Sequence, residues 1–407
     1  MLKKNAFLVL LAFIMTLSAY AETIHIRPSD LPKPFHSDSV NNAPIVIPKM
    51  NVDRLSMPDG FKVELWAEGF RLPRQAYIAP NGDVLVVESG GGKVTLLRDA
   101  DNDGKAEFRS EFLTGLQRPF GIDVHNGYLY IANTHNVVRL PYAPGQEKAE
   151  GELEVVVPDI PTGGHWTRDV IFSPDGSKMY VSIGSRSNID EEPLPRATVM
   201  EYNPDGSGGR VYASGLRNAV GLRFHPATGA LWTTVNERDG LGDDLPPDYV
   251  TSIQDGGFYG WPYAYIGPNA DPRLNGKRMD LVEKTLVPDV LIQSHSAALG
   301  LLFYTGGMFP AKYEGELLVA LHGSWNRARR TGYKIIRAHM NPDGTAVGSY
   351  EDFISGWSVN PDSKEVWGRP VGLAQLLDGS LLILEDGGDK IWRVSYANPE
   401  EADAPKE

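Results

Sequence analysis

Residues 169–185 read DVIFSPDGSKMYVSIGS. An apolar run enters the turn Pro174-Asp175-Gly176 and a second apolar run leaves it, the pattern of a β-hairpin with turn chemistry between its strands. Working outward, the same unit recurs at 75–89 (QAYIAPNGDVLVVES), 121–135 (GIDVHNGYLYIANTH) and 221–237 (GLRFHPATGALWTTVNE). It appears again at 300–323 (GLLFYTGGMFPAKYEGELLVALHG) and 372–386 (GLAQLLDGSLLILED), which makes six copies. Further short strands lie between them, among them KVTLLRD, NVVRLPY, VMEYNPDG and KIWRVSY. An early spacing of about 45 to 50 residues is that of propeller blades of four strands. No segment carries an amphipathic helical period with caps. The expected fold is all-β, a six-bladed β-propeller formed by residues 51–396 as one domain.

The chain has 407 residues, 42% of them hydrophobic, and no cysteine, so packing must hold it together without disulfides, thiolate metal sites or thiol catalysis. A net charge of -13, with no Lys/Arg-rich run, speaks against nucleic acid as a partner. Lys3 and Lys4, an apolar run from Ala6 to Leu17 and Ala19-Tyr20-Ala21 have the form of a secretory signal peptide, 1–21. That run is too short for a membrane span. A periplasmic or secreted protein is expected. Residues 22–50, rich in Pro, Ser and Asn, read as an extended arm, and 397–407 as a flexible tail. The stretch from about 240 to 295 is longer than a blade needs, and long ordered loops usually serve function.

In each hairpin the residues before the first strand and after the second fall at the same end. One rim therefore collects Arg118, His165, Trp166, Arg168, Arg217, Asn218, Asp239, His295, His322, Arg327, Arg369 and Asp386, while the opposite rim carries turns. Several arginines on an acidic protein imply a small polyanion, since their forked donors match carboxylates. Tryptophans at 166, 325 and 367 add flat faces, so a planar polycarboxylated ligand suits the rim. His165, in Gly163-Gly164-His165-Trp166, is placed for a general base. Asn236–Asp244, with Asp239, Gly240 and Asp243, offers oxygen donors for Ca²⁺. Asp99, Asp101 and Asp103 in DADNDG resemble the first half of a second calcium loop, although the twelfth position is Ser110.

From about 55 to 395 these motifs resemble the quinoprotein sugar dehydrogenases that bind pyrroloquinoline quinone (PQQ), the soluble glucose and aldose dehydrogenases and especially their sorbosone-dehydrogenase-like relatives. The matching residues are Gly-Gly-His165-Trp, Ser214-Gly-Leu-Arg217-Asn218, Glu237-Arg-Asp239 with Asp243-Asp244, and Gly257-Phe-Tyr-Gly-Trp261-Pro262. His322-Gly-Ser-Trp-Asn-Arg327 and Trp367-Gly-Arg369-Pro370 complete the series. The resemblance implies a quinone on the rim, oxidation of an aldose or aldehyde sugar, and an external electron acceptor. His165 would be the base and Arg217 would polarise the quinone. Asn218, Arg327, Arg369 and Arg118 would hold it beside Trp166, and carbonyls near Asp239 and Gly240 would bind Ca²⁺. Three positions depart from the glucose enzyme: a lysine becomes Arg327, Arg329 or Arg330, an aspartate becomes Ser185, and a Gly-Pro becomes Asp239-Gly240. The alternatives are a calcium-dependent lactonase or esterase and a non-catalytic binding propeller.

Overall fold

A computed structural model describes residues 22–48, 52–101 and 103–398. The segment read as a signal peptide, and the tail beyond 398, lie outside the described residues. Six four-stranded antiparallel sheets form the body. Their innermost strands are Pro73–Ile78, Gly121–His125, Val170–Phe172, Ala219–Phe224, Ala298–Phe303 and Pro370–Gln375. The hairpin that opened the reading is an innermost pair, with Val170 opposite Val181 and Phe172 opposite Met179. Each second strand is covered by neighbouring blades on both faces, and Val84–Glu88 and Leu317–Leu321 are buried along their whole length. That burial explains why these strands read as nearly unbroken apolar runs rather than alternating ones.

The sixth blade takes its outer strand from the start of the body. Phe61–Glu68 pairs antiparallel with Lys390–Tyr396, so the first and last strands of the six sheets close the ring. The 22–48 segment is ordered against the outside: Ile24 bridges Tyr350, Ile26 bridges Leu291, and Ile45–Val46 runs parallel to Glu365–Val366. The excess length in the fourth blade sits between Asp248–Ser252 and Val290–Ile292. It holds the small hairpin Ala264–Tyr265 with Asn269–Ala270 and one helical turn, Met279–Val282.

The inner strands crowd the axis. A Cβ added at Gly121, Gly221, Gly300 or Gly372 would come within 3.0 Å of backbone in the next blade's innermost strand. Those glycines therefore meet a demand for space at the axis, and the strands they serve bring their rim ends together. Phe120, Val220, Leu299 and Val371 fill the axis with apolar side chains, and Trp166 packs onto them. The channel is thus stoppered beneath the rim, leaving a shallow mouth above Trp166.

Candidate active site

His165 stands at this mouth on the loop before the third blade's innermost strand. Its backbone N–H donates to the Ser185 carbonyl at 3.0 Å, and its Nδ1 lies 2.9 Å from that carbonyl and 3.1 Å from Ser185 Oγ. A carbonyl can only accept, so Nδ1 carries the proton and Nε2 keeps its lone pair. Burial, reinforced by the Arg217 charge, pushes the imidazole down to about 4, which leaves it neutral at ordinary pH. Gly184 makes the approach possible, since a Cβ there would come within 3.0 Å of both Asn218 Oδ1 and His165 Cβ.

Trp166 lies between cations. The Arg118 guanidinium is 4.0 Å and that of Arg74 5.0 Å from its ring centre, and Phe120 meets it edge to face at 6.1 Å. Arg74 pairs with Asp386 at 2.6 Å, and the other Asp386 oxygen accepts from His322 Nε2 at 2.7 Å. Burial, then Arg369, pushes His322 down to about 4 despite that carboxylate. Although burial opposes it, His322 and Arg74 hold Asp386 well below the usual carboxylate range. The Arg369 guanidinium donates only to the carbonyls of His322 and Gly323, each at 3.3 Å, and Arg118 makes no ion pair among the described residues. Two guanidinium charges thus stand on the rim without a direct ion pair among the described residues, Arg369 meeting Asp386 only through space.

Among the buried polar atoms without partners, Arg74 Nε, Gln75 Oε1, Thr167 Oγ1 and Asn218 Oδ1 belong to residues on the His165 rim. They belong to the rim ends of three innermost strands or the residues just before them. Such atoms are costly to leave unpaired, and here they ring a mouth with spare positive charge. Donors, acceptors and a tryptophan face so arranged fit a flat anion rich in carbonyl and carboxylate oxygens.

Two arginines expected to serve that anion have other duties. All five N–H groups of Arg217 are committed, to the carbonyls of Asn188, Asn236 and Glu237, to Asn188 Oδ1 and to Asp239 Oδ2. It acts on the site as a buried charge beside His165, not as a free donor. Arg327 donates to the Asp243 carbonyl at 2.9 Å and the Ser294 carbonyl at 3.3 Å, and its charge is met by Asp244. It fastens one rim loop to another.

Of the calcium ligands expected at Asp239, Gly240 and Asp243, the two aspartates are already engaged. The Asp239 carbonyl already accepts from Asn188 Nδ2 at 2.9 Å and Arg273 Nη1 at 2.7 Å. Its carboxylate is taken by Arg217 and Asn326, and Asp243 caps the Ala328 N–H with both oxygens. Repulsion from Arg217 and Arg273 completes a poor setting for a dication. The first acidic loop brings oxygens of Asp99, Asp101, Asp103 and Glu107 within 4.8 Å of one another, and these carboxylates accept the N–H groups of Ala100, Asp103, Gly104 and Lys105. It joins Lys93–Arg98 to Phe108–Leu113 on the rim of the tight turns, away from His165. Glu107 stands at the ninth position of the same loop spacing, where an EF-hand also takes a ligand.

The sequence reading also missed Arg74, hidden at the start of a strand, and Asn188, in a loop without pattern. Asn188 is a hub, bonding Arg217 and Asp239 and accepting from Trp261 Nε1 at 2.9 Å. Trp261 in turn belongs to the fourth-blade insertion, which Arg238 anchors through the Pro262 carbonyl at 2.7 Å and the Ala264 carbonyl.

Comparison with known proteins agrees with this architecture. An uncharacterised protein of Borreliella burgdorferi is 29% identical over 369 residues, covering 84% of this chain and 91% of its own. A pyrroloquinoline quinone-dependent pyranose dehydrogenase of Coprinopsis cinerea is 26% identical over 404 residues, covering 84% of this chain; the chain spans about half of that enzyme, 54%. In structure, the holo PQQ domain of the Coprinopsis cinerea pyranose dehydrogenase superposes with a TM-score of 0.73 at 21% identity, over 87% of this chain and 99% of that domain. The model of the TrAA12-like family matches residues 55–251 and 278–397, interrupted only within the fourth-blade insertion, and on that match the chain belongs to the TrAA12-like family.

Proposed function

We propose that the protein is a PQQ-dependent dehydrogenase that oxidises an aldose or aldehyde sugar, sorbosone-like in class. The carrying observation is the convergence on one mouth of a neutral His165, the unpaired charges of Arg118 and Arg369, the Trp166 face and a ring of orphaned polar atoms. A quinone bound there supplies a two-electron acceptor for the hydrogen on the sugar's oxidised carbon. Arg118 and Arg369 would hold its carboxylates, Trp166 its plane, and Asn218, Gln75 and Thr167 its remaining polar edge. His165 Nε2 takes the proton of the substrate hydroxyl while Ser185 keeps the ring oriented through Nδ1. Arg217, desolvated beside it, keeps the imidazole from protonating before substrate arrives. The relatives named as quinone-dependent sugar dehydrogenases support the same reading.

The acceptor of the electrons is taken to be a separate molecule, and the site of action outside the cytoplasm. Calcium at the Asp99–Glu107 cluster would have to share carboxylates that already accept backbone N–H groups, and it would lie remote from the chemistry. Calcium-dependent lactone hydrolysis would place a dication at the axis, where Arg74, Arg118 and Arg369 would repel it. The test is reconstitution: purified protein is given PQQ and a panel of aldoses and aldehydes with a dye. Binding at micromolar levels with sugar-dependent dye reduction is expected; absence of quinone binding overturns the reading.

A further inference from the structure

The 22–48 arm crosses the outside of blades four to six, and where it reaches the rim it meets three loops that build the mouth. Phe35 N–H donates to the Leu241 carbonyl at 2.7 Å, and Ser37 Oγ accepts from the Asp243 N–H at 2.8 Å. Gly242 lets the arm sit this close: its φ is 123°, and Ser37 Oγ and its carbonyl lie 3.0 and 3.1 Å from where a Cβ would be. Farther on, Asn42 N–H donates to the Trp325 carbonyl at 2.7 Å, while Asn42 Nδ2 donates to the carbonyls of Arg327 and Ala328, both at 3.0 Å. Arg330 returns the contact at 3.2 Å to Asn42 Oδ1 and 3.1 Å to the Ala43 carbonyl. Ile45 and Ile47 then donate to the Lys364 and Val366 carbonyls, just before Arg369.

Between the Trp325 and Arg327 carbonyls that Asn42 grips stands Asn326. Its Nδ2 bonds Asp239 Oδ1, and the other oxygen of Asp239 receives Arg217, whose charge lies beside His165. Hydrogen bonds and one stretch of backbone therefore link the arm to Arg217, and the last step, from Arg217 to the base, is made by charge alone.

We propose that Ser37 and Asn42 are positioning residues: the arm acts as a brace that holds loops 239–243 and 325–328 in register, and through Asn326 and Asp239 sets Arg217 against His165. This rests on the quinone reading of the same mouth, but its first readout does not. Amide hydrogen exchange and PQQ affinity are measured on the full chain for Asn42→Ala, Asn42→Asp and Ser37→Ala, with Ser29→Ala, elsewhere on the arm, as control. Asn42→Asp keeps the shape but lacks the two side-chain N–H donors, so it is expected to behave like Asn42→Ala. Both should exchange faster at Asp239 and Ala328, and Ser37→Ala at Asp239 and Asp243, with PQQ binding about fivefold to tenfold weaker, the scale of one ordinary hydrogen bond. Ser29→Ala should match the unaltered protein. Unchanged exchange at Asp239 in both Asn42→Ala and Ser37→Ala overturns the proposal. Faster exchange with unchanged affinity also overturns it, because the brace would then be structural only. If the unaltered protein does not bind PQQ, the functional reading falls, and exchange at Asp239 alone decides whether the arm sets the loop.

Discussion

The depressed basicity of His165 has a measurable signature in the acid limb of the reaction. An ordinary imidazole, with a pKa near 6.5, would be only about 3% neutral at pH 5, whereas a group at about 4 is roughly 90% neutral there. The difference is about 30-fold in the fraction of protein carrying a free Nε2 lone pair. For quinone-loaded protein, kcat/KM for a good sugar should therefore stay level from pH 8 down to about 5. It should fall only as pH drops through about 4, as the ring takes up the proton that burial and Arg217 have kept away. Replacing His165 by Ala should lower kcat at least about 10²-fold, the usual contribution of a general base, and remove this limb while PQQ still binds. Steady-state dye reduction across pH 3.5 to 8, with circular dichroism to confirm folding at each point, is the assay. Half-maximal activity near 6.5 would refute the argument from burial and charge, and unchanged turnover in the His165 variant would remove this residue from the mechanism.

Gly372→Ala places a Cβ against the Arg74 carbonyl, and with backbone as the obstacle the cost is about 1–3 kcal/mol, seen as a lower melting temperature; an unchanged melt would contradict the crowding at the axis. Arg118→Ala should leave the melt alone, since no carboxylate depends on it, yet weaken PQQ binding about tenfold as followed by Trp166 fluorescence; undiminished affinity would place the anion elsewhere. Quinone affinity should be the same in excess calcium and in chelator, because the Asp239 carbonyl is already satisfied. Calcium should instead raise the melting temperature, and Asp101→Asn should blunt that rise, as a ligand bound only by the folded state requires.

The propeller was legible because its signal is local and repeated six times. A turn such as Pro174-Asp175-Gly176 fixes a hairpin, and hairpin parity alone sends His165, Arg217 and Arg369 to a common rim. What escaped depends on groups that carry no letter. Arg217 and Arg327 look identical to a free anion donor in sequence; it is main-chain carbonyls, invisible there, that occupy them. Asp239 and Gly240 resemble a cation loop for the same reason, until Arg273 arrives from the insertion. The arm's composition showed that it is extended and could not show what it touches, because Ser37 and Asn42 meet partners some two hundred or more residues away.

The closing strand at 61–68 also imposes an order of events. Its partner, Lys390–Tyr396, is made after every other strand of the six sheets, so the sixth blade cannot exist until residue 396 has been made. Until then the first blade presents one bare flank and the newest blade another, and the braces at Ser37 and Asn42 have no loops to grip. A chain halted anywhere before residue 390 would keep its early strands waiting and its apolar flanks open to aggregation. The ring around His165 therefore closes in one late step, when the strand at 61–68 meets Lys390–Tyr396.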